Sequence, residues 1–146
     1  MAAKKLATIG YETATLSDVI GRLQRAGVDI VIDVRAVASS RRAGFSKTLL
    51  AASLQAEGIA YLHLRGLGTP KPGRQAARAG RIAEMQAIFR EHLREPEAQL
   101  QLAEACEIAA TMTAALLCYE ADPAHCHRAI VADLIQDSIG CQIANL

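Results

Sequence analysis

The segment VDIVIDVR, residues 28–35, constrains the fold of this chain more than any other feature. Its apolar residues are β-branched and form a nearly continuous run, without the regular alternation of a half-buried strand. Such a strand is typical of a parallel sheet, because helices cover both faces of it. The segment therefore predicts a central strand, and it brings Asp33 and Arg35 to the end of that strand.

Strand-like and helical segments alternate along the rest of the chain. Thr15, with Asp18 three residues later, resembles a capping box, and Gly27 suits the end of the helix that follows. Pro96 suits the first turn of a later helix. The predicted strands are 5–10, 28–35, 59–64 and 114–120, and 141–146 is either a short last strand or a tail. The predicted helices are 15–27, about 46–57, 75–94, 97–111 and 123–138.

This alternation predicts the α/β class, as one three-layer α/β/α domain with a mostly parallel central sheet of four to five strands. The domain is expected to span residues 1–146, with the motif-bearing core at about 6–139. Only 3% of the residues are aromatic although 51% are hydrophobic. The core must therefore consist mostly of alanine, leucine, isoleucine and valine, which suits helices packed on a parallel sheet.

Charge and hydropathy exclude some broad classes of function. The formal net charge of +1 provides no general attraction to nucleic acids or to acidic membranes. The N-terminus lacks the apolar stretch of a secretory signal, and no segment is as apolar as a membrane span. We therefore expect a cytoplasmic protein with no membrane partner. The sequence does not predict an oligomeric state.

The four cysteines all lie in the C-terminal third of the chain, without paired C-x-x-C spacings. This pattern favours neither a disulfide framework nor a zinc knuckle. We therefore predict free thiols. The cysteines are Cys106, Cys118, Cys126 and Cys141.

Polar residues follow each predicted strand. Because parallel strands end at one edge of a sheet, these residues should meet where open α/β sheets usually bind ligands. Although the chain has almost no net charge, we therefore expect cationic and carboxylate side chains to lie together at this edge of the sheet. The residues are Gly10, Tyr11, Glu12, Asp33, Arg35, His63, Arg65, Tyr119 and Glu120, with Ser39, Ser40, Arg41, Arg42 and Lys47 from the loop after the second strand.

The helix predicted to begin near Pro123 would point its free N–H groups at this edge and favour an anion. Arg128, with Arg35 or Arg41, would close on a phosphate or carboxylate through forked hydrogen bonds. The sequence therefore predicts an anion site without a metal.

Three kinds of side chain at this edge are candidates for catalysis. Cys126 near a helix start suits a nucleophile, and His127 or His125 suits proton transfer. Asp33 and Glu120 suit acid-base chemistry, although carboxylates among arginines usually have low pKa values. The alternatives are a small buried thiol at Cys126 and structural ion pairs for the two carboxylates.

The motifs together resemble the family known as domain of unknown function 488, over about residues 6–134. The segments that carry the resemblance are TIGYE, DVRAVASSRRAGF, GIAYLHLRGLGTPK and ALLCYEADPAHCHRAIVADLI. Its most specific positions are Gly10, Tyr11, Glu12, Asp33, Val34, Arg35, Ser40, Arg41, Leu67, Gly68, Glu120, Cys126, His127 and Arg128. Thr13 and Ala38 stand where the family often has glycine and proline. The resemblance implies the fold and the site, but it implies no activity.

Three functions remain open on this basis. The first is an enzyme of hydrolase or lyase type that acts on a phosphate-bearing, nucleotide or nucleic-acid substrate. The second is a non-catalytic nucleotide or nucleic-acid binding module. The third is a metal or redox site at Cys118 and Cys126 with a histidine. No cofactor is predicted, and a divalent metal has no support from ligand spacing.

The loop at residues 66–73 is rich in glycine and proline and longer than a minimal connection. Its length and glycines are those of a lid that closes over a bound ligand, which ligand-dependent proteolysis at Lys71 or Arg74 would detect.

Overall fold

A computed structural model describes residues 4–146 of the chain. Five parallel strands form one sheet in the order β3-β2-β4-β1-β5. The strands are β1 (Lys5–Gly10), β2 (Ile30–Asp33), β3 (Ala60–His63), β4 (Ala114–Cys118) and β5 (Gln142–Asn145). The helices are α1 (Leu16–Arg25), α2 (Lys47–Ala56), α3 (Lys71–Arg78), α4 (Ile82–His92), α5 (Pro96–Thr111) and α6 (Arg128–Ile139).

The three-layer α/β/α fold predicted from the sequence is confirmed. Successive side chains of the strands point to opposite faces, so Val31 joins a core with α1 and α2 while Ile30 and Ile32 join a core with α5 and α6. All four residues of β2 are buried, as the continuous β-branched run predicted. Of the two alternatives for residues 141–146, the strand is correct, because β5 pairs with β1 in parallel.

The strand register brings the carboxyl ends of the inner strands together. Gly10 at the end of β1 is paired with Cys118 at the end of β4, and Asp33 lies opposite both Leu117 and His63. The polar segments that follow these strands therefore leave the sheet at one edge, hereafter called the carboxyl edge.

The helix predicted at residues 75–94 is two helices, and this prediction was wrong. Gly80 has a positive φ of 79°, which ends α3 and turns the chain into α4. The helix α3 also begins earlier, at Lys71, so the predicted loop 66–73 contains a 3-10 turn and the start of a helix. The two helices pack as a hairpin beside the carboxyl edge, hereafter the α3–α4 hairpin.

The helix predicted from Pro123 begins five residues later, at Arg128. Pro123–His125 form a 3-10 turn instead, because the Asp122 side chain caps it by accepting from the Ala124 N–H. Cys126 then adopts an extended conformation, with φ −125° and ψ 141°, which separates the turn from α6.

Within residues 4–146, none of the helices combines the length and the apolar character needed to cross a membrane.

Candidate functional site

A cleft of about 940 Å³ lies at the carboxyl edge, between the strand ends and the α3–α4 hairpin. Cys118 at the end of β4 and residues that follow β1 and β2 contribute to it, as expected for an open α/β sheet. The polar residues that line it are Tyr11, Glu12, Arg35, Ser39, Ser40, Thr69, Arg74, Arg78, Tyr119, Glu120, Asp122, His125 and His127, and Cys118 lines it as well.

Arg35 is buried, and the groups around it leave little of its guanidinium free. The Nε and Nη2 groups donate to the Asp33 carboxylate, at 2.9 and 2.7 Å, and Nη1 donates to the Tyr11 hydroxyl and the Phe45 carbonyl. Burial opposes the charge of Arg35, but the hydrogen bonds and charge of Asp33 outweigh it and raise the pKa of the guanidinium. Arg35 is therefore a fixed cation at the cleft wall.

Asp33 has no exposed surface and does not line the cleft. Besides Arg35, its carboxylate accepts a hydrogen bond from the Tyr61 hydroxyl at 2.5 Å. Burial and the bond to Asp33 raise the pKa of Tyr61, so the phenol keeps its proton. The structure thus separates Asp33, which orients Arg35, from the carboxylates that face the cleft.

The turn after β1 lies directly against the segment after β4. A Cβ atom at Gly10 would come within 1.8 Å of the Glu120 carbonyl oxygen, so only glycine fits there. Tyr11 stacks on Phe45 with ring centroids 4.2 Å apart. The Glu12 carboxylate accepts from the Ala121 N–H, which ties the two segments together.

Glu120 is half-buried in the cleft, and its pKa is raised. Desolvation is the main cause, and the nearby charge of Glu12 adds to it, while Arg128 acts in the opposite direction. We expected low pKa values for carboxylates among arginines, and for Glu120 this expectation was wrong. Burial outweighs the cations, so Glu120 holds its proton more strongly than an exposed glutamate.

Arg128 is 1% exposed and does not line the cleft. It donates from Nη1 to the Glu120 carbonyl and from Nη2 to the Ala121 carbonyl, while its Nε is buried without a partner among residues 4–146. Burial lowers the pKa of this guanidinium. Arg128 therefore fixes the backbone of the segment that carries Glu120. We predicted instead that it would reach an anion in the cleft.

The first N–H groups of α6 are also engaged. Ala129 donates to the Cys126 carbonyl, and Ile130 and Val131 donate to the His127 carbonyl. The helix start is covered by the buried residues 126–128. Three of the N–H groups predicted to face an anion at this helix are therefore already bonded within the chain.

Cys118 and Cys126 form a disulfide, so the prediction of four free thiols was wrong for these two. The last residue of β4 and the extended residue before α6 meet because the intervening segment folds back over the carboxyl edge. Cys106 and Cys141 are free, as predicted. In the disulfide, Cys126 has no thiolate that could attack a substrate.

His127 is buried, and its pKa falls to about 4, mainly because burial disfavours the charged ring. Its Nε2 lies 2.6 Å from the Val34 carbonyl oxygen, and its Nδ1 lies 3.7 Å from the Cys126 sulfur. A carbonyl only accepts, so Nε2 carries the proton and Nδ1 presents a lone pair. The two sulfurs of Cys118 and Cys126 and a ring nitrogen of His127 lie within 4.8 Å of one another. Because both sulfurs are bonded in the disulfide, they offer no thiolate ligand to a metal ion.

The remaining predicted residues fall into two groups. Ser40 lines the cleft, and Gly68 lies behind it, where a Cβ atom would come within 2.2 Å of the Ala36 backbone. Arg41 is exposed and does not line the cleft. Its neighbour Arg42 donates to the carbonyls of Glu12 and Ala14 and so fixes the turn after β1.

Two cleft cations were missed from the sequence. Arg74 and Arg78 are four residues apart on α3 and both line the cleft, with Arg74 also donating to the Thr69 carbonyl. Their spacing places them on one helical face, which is the signal available in the sequence. The direction of this face, toward the strand ends, depends on how the α3–α4 hairpin packs and is not visible in the sequence.

Residues 15–135 match the family model described as Domain of unknown function DUF488. The chain belongs to this family. The matched range of this DUF488 chain holds β2, β3, β4 and the first two thirds of α6, whereas Gly10, Tyr11 and Glu12 precede it. No curated protein and no solved structure matched the chain in the other two comparisons.

Proposed function

We propose that the cleft is the active site of an enzyme, of hydrolase or lyase type, that acts on a small phosphate-bearing substrate. The observation that carries this proposal is the meeting of Arg35, Arg74 and Arg78 with Glu120 in one cleft. Guanidinium groups bind phosphate through paired hydrogen bonds, and a carboxyl group with a raised pKa keeps its proton to higher pH than an exposed one.

The two arginines of the hairpin are the best candidates for the phosphate ligands. The charge of Arg35 is largely offset by Asp33, with which it forms a salt bridge of 2.7 Å. Arg74 and Arg78 have no carboxylate partner among the ion pairs of residues 4–146. Ser39 and Ser40 line the same cleft and offer hydroxyl groups to an anion.

Glu120 supplies the chemistry in this proposal. Its raised pKa suits a general acid that protonates a leaving group. Glu12 also lines the cleft and contributes to that raised pKa, so the second carboxylate serves as base or as acceptor for a substrate hydroxyl. Asp33 and His127 take positioning roles, at Arg35 and at Val34 respectively.

The dimensions of the cleft favour a small molecule as substrate. A volume of about 940 Å³ is typical of pockets that enclose one metabolite or nucleotide. The net charge of +1 provides no general attraction to a nucleic-acid strand. Tyr11 and Tyr119 line the cleft and offer ring faces for one base.

The second candidate is a non-catalytic nucleotide-binding module. The contacts of Asp33 favour it, because this carboxylate accepts hydrogen bonds from Arg35 and orients its guanidinium. In a binding module the carboxylates need no other role than to orient arginines. The two candidates agree on the ligand and differ on Glu120.

The deciding experiment begins with thermal-shift measurements on orthophosphate, nucleoside monophosphates and sugar phosphates. A ligand at 100 times its Kd should stabilise the wild type by about 2.7 kcal/mol. We expect Arg78→Gln to lose most of this shift and Arg25→Gln to keep it, because Arg25 ends α1 at the opposite edge of the sheet. Equal shifts in both variants would contradict the placement of the phosphate.

The ligand found in this way is then tested for turnover. We expect Glu120→Gln to bind the ligand and to lose about 100-fold or more in kcat, the usual contribution of a general acid. Binding by the wild type without turnover of any bound compound would favour the binding module.

A further inference from the structure

The disulfide between Cys118 and Cys126 lies at the cleft, next to groups that a structural crosslink does not require. Cys118 lines the cleft, whereas Cys126 does not. Both residues are almost fully buried, at 1% and 3% exposure. An incoming molecule in the cleft therefore reaches the pair from the Cys118 side.

Each sulfur has its own hydrogen-bond acceptor. The Nδ1 lone pair of His127 lies 3.7 Å from the Cys126 sulfur, because the bond from Nε2 to Val34 fixes the ring. A carboxylate oxygen of Glu120 lies 3.2 Å from the Cys118 sulfur. The Cys118 sulfur also accepts an N–H from Arg128, at 3.7 Å, and a cation in this position stabilises a thiolate.

We propose that Cys118 and Cys126 are a redox-active pair that exchanges two electrons with a small dithiol bound in the cleft. The geometry that carries this inference is one sulfur facing the cleft, a partner sulfur behind it, and a hydrogen-bond acceptor beside each. This activity does not depend on the phosphate chemistry proposed above.

Reduction of the pair proceeds in two exchange steps. A thiolate of the dithiol attacks the Cys118 sulfur, and the electron pair of the broken S–S bond leaves on Cys126. The second thiolate of the dithiol then attacks the dithiol sulfur that is bonded to Cys118, and Cys118 leaves as a thiolate. The dithiol becomes a cyclic disulfide, and its two protons end on Cys118 and Cys126.

The two thiols formed in this way have their hydrogen-bond acceptors in place. The Cys126 thiol faces Nδ1 of His127, and the Cys118 thiol faces the carboxylate of Glu120. In the reverse direction these two groups orient the thiols by accepting their hydrogen bonds, and the thiol protons end on the dithiol that is formed. Efficient oxidation therefore needs His127 to orient the Cys126 thiol.

The test uses the full chain with Cys106→Ser and Cys141→Ser, because these two thiols are free and do not line the cleft. The folded protein is equilibrated with mixtures of reduced and oxidised dithiothreitol, and its thiols are then counted by alkylation and mass spectrometry. We expect zero thiols at the oxidised end, two at the reduced end, and a single two-electron transition.

The role of His127 is tested by the rate of disulfide formation from the reduced protein. We expect His127→Gln to slow it about tenfold or more, since Gln retains an N–H for Val34 but has no ring lone pair. His63→Gln is the matched control, because His63 does not line the cleft and its ring bonds to the Arg35 carbonyl and to neither sulfur. It should keep the wild-type rate.

Three results would overturn the proposal. The pair would be structural if it were reduced only after unfolding, and unpaired if both thiols persisted in oxidised dithiothreitol. Zinc that co-purifies and blocks alkylation until a chelator removes it would make the cysteines metal ligands instead. The equilibrium experiment needs no His127 variant, so the proposal can fail even if that variant does not fold.

Discussion

Asp33 and Arg35 form a buried ion pair, which costs desolvation energy that only complete hydrogen bonding can offset. The carboxylate meets this condition through Arg35, the Arg35 N–H and the Tyr61 hydroxyl. The guanidinium meets it through the Tyr11 hydroxyl and the Phe45 carbonyl as well. Removal of one partner therefore leaves a charge with little access to water.

We predict that Asp33→Asn lowers the free energy of unfolding by about 3 kcal/mol, the usual cost of an uncompensated buried charge. Tyr61→Phe removes one hydrogen bond to the same carboxylate and should cost only about 1 kcal/mol. Urea unfolding followed by circular dichroism measures both. Equal losses in the two variants would show that the charge of Asp33 is not what stabilises Arg35.

At the scale of elements, the cleft depends on how closely the turn after β1 approaches the segment after β4. Gly10 permits this approach, Glu12 and Arg42 fix the turn, and Arg128 holds the Glu120 segment from below. The α3–α4 hairpin provides the other wall of the cleft and two of its cations. The position of Glu120 is thus set by backbone packing more than by its own side-chain contacts.

We predict that Gly10→Ala destabilises the protein by about 3 kcal/mol, because the new Cβ overlaps a backbone carbonyl that has no room to move. Gly21→Ala in α1 is the control. Its Cβ meets only the end of the Arg25 side chain, at 3.3 Å, so higher helix propensity should stabilise it by up to about 1 kcal/mol. Thermal unfolding distinguishes the two, and a neutral Gly10→Ala would refute the close approach.

For the whole molecule, the buried histidine links folding to pH. The pKa of His127 is about 4 in the folded chain against 6.5 for the free side chain. Its contribution to stability is complete above pH 6.5 and is lost as pH falls toward 4. In this range the His127 side chain binds a proton in the unfolded chain but stays neutral in the folded chain, which favours unfolding. Glu120 acts with the opposite sign, since its raised pKa makes the folded chain bind a proton more strongly.

We predict that the wild type loses about 3 kcal/mol more stability than His127→Gln between pH 7 and pH 4. Glutamine does not titrate, and Glu120 is present in both proteins, so its contribution cancels in the difference. Urea midpoints measured across this range provide the test. Parallel pH profiles for the two proteins would mean that His127 is not buried as the neutral ring.

The sequence by itself determined the layers of the fold, the capping box at Thr15 and the carboxyl edge as the place where polar residues gather, because these follow from short-range patterns and strand polarity. It also pointed to Glu120 and His127, which line the cleft. The break at Gly80, the late start of α6 and the Cys118–Cys126 bond came only from tertiary structure. So did the burial that separates Arg128 and Asp33 from the cleft, because burial depends on residues distant in sequence that pack against each side chain.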